Sequence, residues 1–224
     1  MNPAHDGQVG SRALLAASAA YGILAAVAVA AFGTLPAASE TGPQLVTWFR
    51  ENRDSVRWGV WALTVTAPPF ALVVALLRRL LPVPHRDMFL VGAVSFTVAT
   101  SVWSWIWGGL ALHADQLEPA TARTVLDVAV FYGPVLTGST TTMMAPVTWL
   151  ALRRQAGIPR WLGALGLVAF VEQAIETITI FGSTGFTQPG GSMNMQLGGG
   201  LTIAWIFAFG IWGGMRGRAQ YPEV

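Results

Sequence analysis

Two carboxylic acids four residues apart, Glu172 and Glu176, stand inside an otherwise apolar stretch that runs from Ile158 to Phe181. On a helix this spacing sets both on one face, with Thr179 about one turn further along. Trp161, near the start of the stretch, is of the type that anchors a helix at a bilayer surface. Glu172 follows it by 11 residues, about 16 Å of helix, which puts the acid near the bilayer midplane. An ionisable side chain at that depth costs roughly 2.5–3.5 kcal/mol, so two on one face are a functional signal. Such a pair suits acid/base work, one member holding a proton while its neighbour accepts one. The plainer alternative is a structural pair hydrogen-bonded to Thr or Tyr on adjacent helices. The functional reading is the one we expect.

Aromatic side chains accompany the acids. Trp103 and Trp107 share a helical face with Thr100, and Trp105 points elsewhere. Trp107 fits an ordinary interfacial belt, whereas Trp103 lies deeper and suits an apolar pocket or the stabilisation of a positive charge. Tyr132 lies deep enough to hydrogen-bond Glu176, and Trp205 falls near mid-depth on the last apolar stretch. Asp127 sits where a carboxylate caps a helix start, and the hydroxyl run Thr137 to Thr142 reads as interhelical glue. Asn194 and Gln196 are expected in solvent at the outer mouth. By depth, Glu172, Glu176, Trp103, Tyr132 and Trp205 converge on one cavity in the middle or outer half of the membrane.

Other chemistries find little footing. The chain has no cysteine, which excludes disulfides and thiolate nucleophiles. His113, Asp115 and Glu118 cluster in one connection, but their spacing matches no strong metal site, so no metal is expected. No phosphate-binding loop, dinucleotide turn or nucleophile elbow occurs, so no cofactor is expected either. The net charge of +2 is too small and scattered for nucleic acid.

The elements that must position these residues are membrane helices. Of 224 residues 53% are hydrophobic and 11% charged, too few charges to coat a water-facing domain. Six apolar stretches run approximately over Ala13–Gly33, Trp58–Leu80, Met88–Leu112, Thr124–Leu152, Ile158–Phe181 and Met195–Met215. Each is long enough to cross about 30 Å of hydrocarbon, where unpaired backbone amides leave a helix as the sensible form. The expectation is an all-α transmembrane bundle of six helices, residues 1–224 forming one membrane domain. The fourth stretch, with Gly133-Pro134 and Pro146, is expected as a single kinked helix.

Every basic residue other than histidine is arginine. Alternate connections and the ends carry nine of them (Arg12, Arg78, Arg79, Arg86, Arg153, Arg154, Arg160, Arg216 and Arg218), against four on the other side (Arg50, Arg53, Arg57 and Arg123). The bias predicts a plasma (inner) membrane protein with both termini in the cytoplasm. Leu45, Trp48 and Phe49 share one face of a short amphipathic segment in the first outer connection, expected to lie in the headgroup layer. The uncharged loop Gly182 to Gln196 is expected as a plain connection. No repeat relates the two halves, so a symmetric transporter would need a homo-oligomer.

The segment WFRENRDSVRWG, the basic turn after the second helix, the PRWLG entry at Pro159 to Gly163 and a glycine-containing turn before a Trp-bearing last helix resemble an uncharacterised family of bacterial six-helix integral membrane proteins. The resemblance spans nearly the whole chain. It implies fold and membrane location, and no activity comes with it. Where that family's fifth helix is plainly apolar, this chain has Glu172, Gln173 and Glu176.

The expected function is therefore acid/base isomerisation or cyclisation of a lipophilic, terpenoid- or sterol-like molecule in the bilayer. Glu172 and Glu176 would be catalytic, with Trp103, Trp107, Tyr132 and Trp205 binding substrate. The logic is similar to that of membrane terpene cyclases and sterol isomerases, whose motifs the chain lacks. Proton-coupled transport and a non-catalytic lipid-binding scaffold are the alternatives.

Overall fold

A computed structural model describes residues 3–220, with side chains for residues 10–216. Eight α-helices follow in order: α1 (Pro3–Phe32), α2 (Gly42–Glu51), α3 (Arg53–Leu77), α4 (His85–Leu112), α5 (Pro119–Val130), α6 (Tyr132–Leu152), α7 (Arg160–Glu176) and α8 (Gly199–Gln220). No strand occurs among the described residues. Arg218 and the extreme termini, used above to infer orientation, lie outside the described side chains.

Among the described residues, five segments are long and apolar enough to cross a membrane: Gly10–Phe32, Arg53–Leu80, His85–Leu112, Arg160–Phe181 and Met193–Arg216. Helices keep most backbone bonds within each segment, as hydrocarbon requires. The chain is an all-α, multi-pass membrane protein. The fourth expected span is not one kinked helix but two helices, α5 and α6, parted at Phe131. Pro134 has no N–H to give the carbonyl of Val130, and Gly133 beside it offers little helical preference. The hydroxyls of α6 mostly bond their own helix: Thr137 donates to the Pro134 carbonyl, Ser139 to Leu136 and Thr142 to Gly138. Within the run Thr137 to Thr142, Thr140 is the one that bonds another helix among the described residues, through Gln173. Glue is thus a minor part of their role.

Six helices form a ring. Helix α1 packs against α3 and α8, α3 against α4, α4 against α6, α6 against α7, and α7 closes on α8. Without water to drive association, such helices pack best where small residues allow close approach. Gly92 shows why: a Cβ there would collide with the backbone nitrogen of Met143 and lie 2.6 Å from its Cα. Val91, Val94, Val98 and Val102 form an exposed stripe on the outside of α4, ending at Trp105, which is 71% exposed. Exposed Trp58, Trp61 and Trp105 mark one end of the bundle, and exposed Trp149 and Trp161 the other. Two aromatic girdles and an apolar waist are the surface expected of a lipid-facing bundle.

The arginine-rich end is packed solid. Phe89, Met143, Met144, Leu150, Leu162, Trp205 and Phe209 join residues of α1 and α3 in one buried cluster there. Arg216 donates to the Ala156 carbonyl, tying α8 to the connection between α6 and α7. At the opposite end α2 and α5 pack on each other beneath the tip of α4. The apolar face of α2 is turned inward: Leu45 and Phe49 are fully buried, and Phe49 meets Trp107 at 5.6 Å between ring centres. Its amphipathic pattern is thus explained by packing within the protein.

Arg53 pairs with Asp115 at 3.4 Å and donates to the Leu112 carbonyl, fastening the start of α3 to the end of α4. Asp115 is largely exposed, so the pair contributes little. Asp115→Ala is expected to cost less than about 1 kcal/mol, read as a small shift in thermal unfolding in detergent.

Candidate functional site

Between the packed end and the α2–α5 cap lies a partly open cavity of about 680 Å³, within the range of small-molecule sites. It is reached by α1, α3, α4, the start of α6, the end of α7 and the start of α8. The connections on either side of it also contribute. Gly185, Gln188, Gly190 and Ser192 line the cavity, so the loop expected as a plain connection is part of its wall.

Glu176 and Gln173 line this cavity, while Glu172 does not. The two acids are therefore not equivalent, although both are buried. Between them stands the side-chain amide of Gln173, whose Nε2 donates to Glu172 Oε2 at 2.9 Å and to Glu176 Oε2 at 2.7 Å. Gln173 Oε1 accepts from the Thr140 hydroxyl of α6. The other oxygen of Glu176 accepts from Asn194 Nδ2 at 2.5 Å. Asn194 Nδ2 also reaches Thr179 Oγ1 at 3.2 Å, and Asn194 Oδ1 accepts from the Gly190 backbone at 2.9 Å. That backbone N–H fixes the amide's orientation, because only an oxygen can face it.

Local sequence explains the geometry. Residues Met193–Gly198 form a stretch of wide π-type turns ahead of α8, and Asn194 is buried within it. The expectation of a solvated Asn194 is therefore corrected: it is a direct partner of Glu176. Gly198 is needed beside it, since a Cβ would lie 2.7 Å from Gln173 Nε2 and collide with Glu176 Oε2. No arginine pairs with either acid among the described residues; side-chain amides hold both. One oxygen of Glu172, Oε1, is buried with no hydrogen-bond partner among the described residues.

The aromatic residues divide. Trp103 lines the cavity, its ring 4.9 Å from Phe32 and 5.4 Å from Tyr132. Tyr132 lines it too, but its hydroxyl meets Thr100 Oγ1 at 3.0 Å instead of the expected Glu176. Trp107 is buried behind Trp103, outside this cavity and against Phe49. Trp205 is fully buried in the packed end, also away from the cavity, where its Nε1 and Thr148 Oγ1 flank Gly166 with no hydrogen-bond partner among the described residues. Asp127 is paired with Arg123. Tyr21, Phe70 and Phe96, passed over in the sequence, make a second run of rings, with centres 5.4 and 5.5 Å apart. Their spacing across three helices left no linear signal.

Asn194→Ala would strip a hydrogen bond from a buried carboxyl and release the loop from Glu176. A loss of about 1.5–3 kcal/mol is expected, with faster proteolysis of residues 182–196 as a second measurement. Unchanged unfolding and unchanged cleavage would contradict the geometry.

No protein-family model, curated protein or solved structure matches the chain. The function must be argued from the cavity itself.

Proposed function

We propose that this protein is a six-crossing plasma-membrane enzyme that isomerises or cyclises a lipophilic molecule through Glu176. Helices α5 and α6 together make the sixth crossing, and the arginine-rich end with both termini faces the cytoplasm. The observation that carries the reading is an apolar-walled cavity lined by one carboxylic acid together with aromatic rings.

The chemistry is simple to balance. The O–H bond of a protonated Glu176 breaks as its proton joins one carbon of an alkene. The alkene's π pair forms the new C–H bond and leaves a cationic carbon. That carbon is met by the electron-rich faces of Trp103 and Tyr132, the surroundings that best stabilise a cation without quenching it. A proton on the neighbouring carbon then returns to the carboxylate, and the C–H pair becomes the shifted double bond. Cyclisation follows the same course if a second alkene attacks the cation first. Glu172 touches no part of the cavity; it acts as a positioning residue that helps hold the Gln173 amide toward Glu176.

The test begins with the ligand. Mass spectrometry of lipids co-extracted with purified protein should identify a terpenoid- or sterol-like molecule, which is then incubated with protein in nanodiscs. A product of equal mass with a moved double bond or a new ring supports the proposal. Uptake driven by a pH gradient, with the molecule unchanged, would replace it with transport. Neither a bound lipophile nor a product would leave a scaffold.

A further inference from the structure

The charge pattern of the cavity says which ligands it should prefer. Glu176 is the one formally charged side chain lining it, and no arginine or histidine lies on its wall among the described residues. The two amides that hold Glu176 have their donors already committed. Gln173 Nε2 serves both acids, and Asn194 Nδ2 serves Glu176 and Thr179. Thr100 donates to the Phe96 carbonyl at 2.8 Å, so the proton between Thr100 and Tyr132 comes from the tyrosine. Tyr132 therefore offers its oxygen only as an acceptor. Each oxygen of Glu176 takes one amide N–H and keeps a second lone pair, since a carboxylate has about four acceptor positions. The groups that hold Glu176 thus offer a ligand acceptors and no further amide donor of their own.

The same cavity is lined by two arcs of rings, Phe32–Trp103–Tyr132 and Tyr21–Phe70–Phe96. In its ionised form, after its proton is given up, Glu176 has no cationic side chain on the cavity wall among the described residues and calls for a neutralising partner. Aromatic faces around an apolar space are what a desolvated ammonium group finds attractive.

We infer that the cavity is selective for lipophilic organic cations, an alkylammonium head lying between Glu176 and the aromatic arcs with its tail along the apolar wall. The inference rests on the reading of the cavity as a lipophile site, and it adds the sign of charge and the head-group class. An ammonium of this kind would take the place of the cationic carbon in the proposed reaction, and so act as an inhibitor.

The experiment compares dodecyltrimethylammonium with 2,2-dimethyltetradecane, which replaces its charged nitrogen by carbon, using protein in phosphatidylcholine nanodiscs and empty discs as the baseline. The ammonium compound is expected to bind at least about tenfold more tightly, within the range of a desolvated cation on aromatic faces. In Glu176→Gln, checked for folding by its thermal transition, that preference should fall to about threefold or less. Equal binding of the two compounds to unmodified protein would overturn the inference without reference to any variant. So would a preference that Glu176→Gln leaves intact in folded protein. Turnover of an uncharged alkene without an ammonium preference would sink this inference and spare the proposed function. Ammonium selectivity without turnover would do the reverse.

Discussion

Glu176→Gln is expected to lower turnover of the extracted lipophile by at least about a hundredfold, the usual scale for removing a general acid/base. Glutamine keeps the size of the side chain, and its oxygen can still accept from Asn194 Nδ2. It has no proton to deliver, so the loss should fall mainly on kcat, with KM changing little. Glu172→Gln provides the contrast. It stands behind Gln173, outside the cavity, so its loss should disturb alignment and cost about tenfold or less. If the two variants lose activity equally, the distinction between a reacting acid and a positioning one is wrong. If both keep full activity, neither acid takes part in the chemistry.

Gly92→Leu is expected to do the greatest damage to the fold. At Gly92 the α4 backbone runs against that of α6, and any side chain must push Met143 and its helix away. Overpacking commonly costs about 1–3 kcal/mol. Here the obstacle is backbone, which cannot rotate aside, so at least about 3 kcal/mol is expected. The measurement is the midpoint of thermal unfolding in detergent together with the yield of monodisperse protein. Gly109→Leu is the matched control, because a Cβ there meets nothing within 4 Å. Comparable losses in both would mean that leucine is poorly tolerated on α4 generally, and that the close approach at Gly92 is not the cause.

The helices were legible in the sequence because hydrocarbon imposes one demand, a long uncharged run, that composition reports directly. The acids were legible for the same reason, since charge in such a run is conspicuous. The unequal roles of Glu172 and Glu176 were not. Helical spacing places both on one face, but Gln173, one residue from the first and three from the second, turns its amide between them. Asn194 was misplaced because its depth was counted along a regular helix, whereas wide turns draw it inward beside Glu176. Trp107 and Trp205 fell at suitable depths, yet depth carries no information on which neighbour a ring meets; both are occupied by packing. The break at Phe131 had a visible cause in Gly133-Pro134. What the sequence lacked was the sideways pull that lodges α5 against α2 while α6 stays in the ring.

The tightly filled cluster beneath the cavity has one more consequence. Phe89, Trp205 and Phe209 stop the arginine-rich end like a cork, so a molecule that enters past the glycine-rich loop or from the lipid beside Trp105 meets a dead end. Passage onward through the arginine-rich end is closed, so product and substrate must share whatever openings lie on the side of the loop and of Trp105.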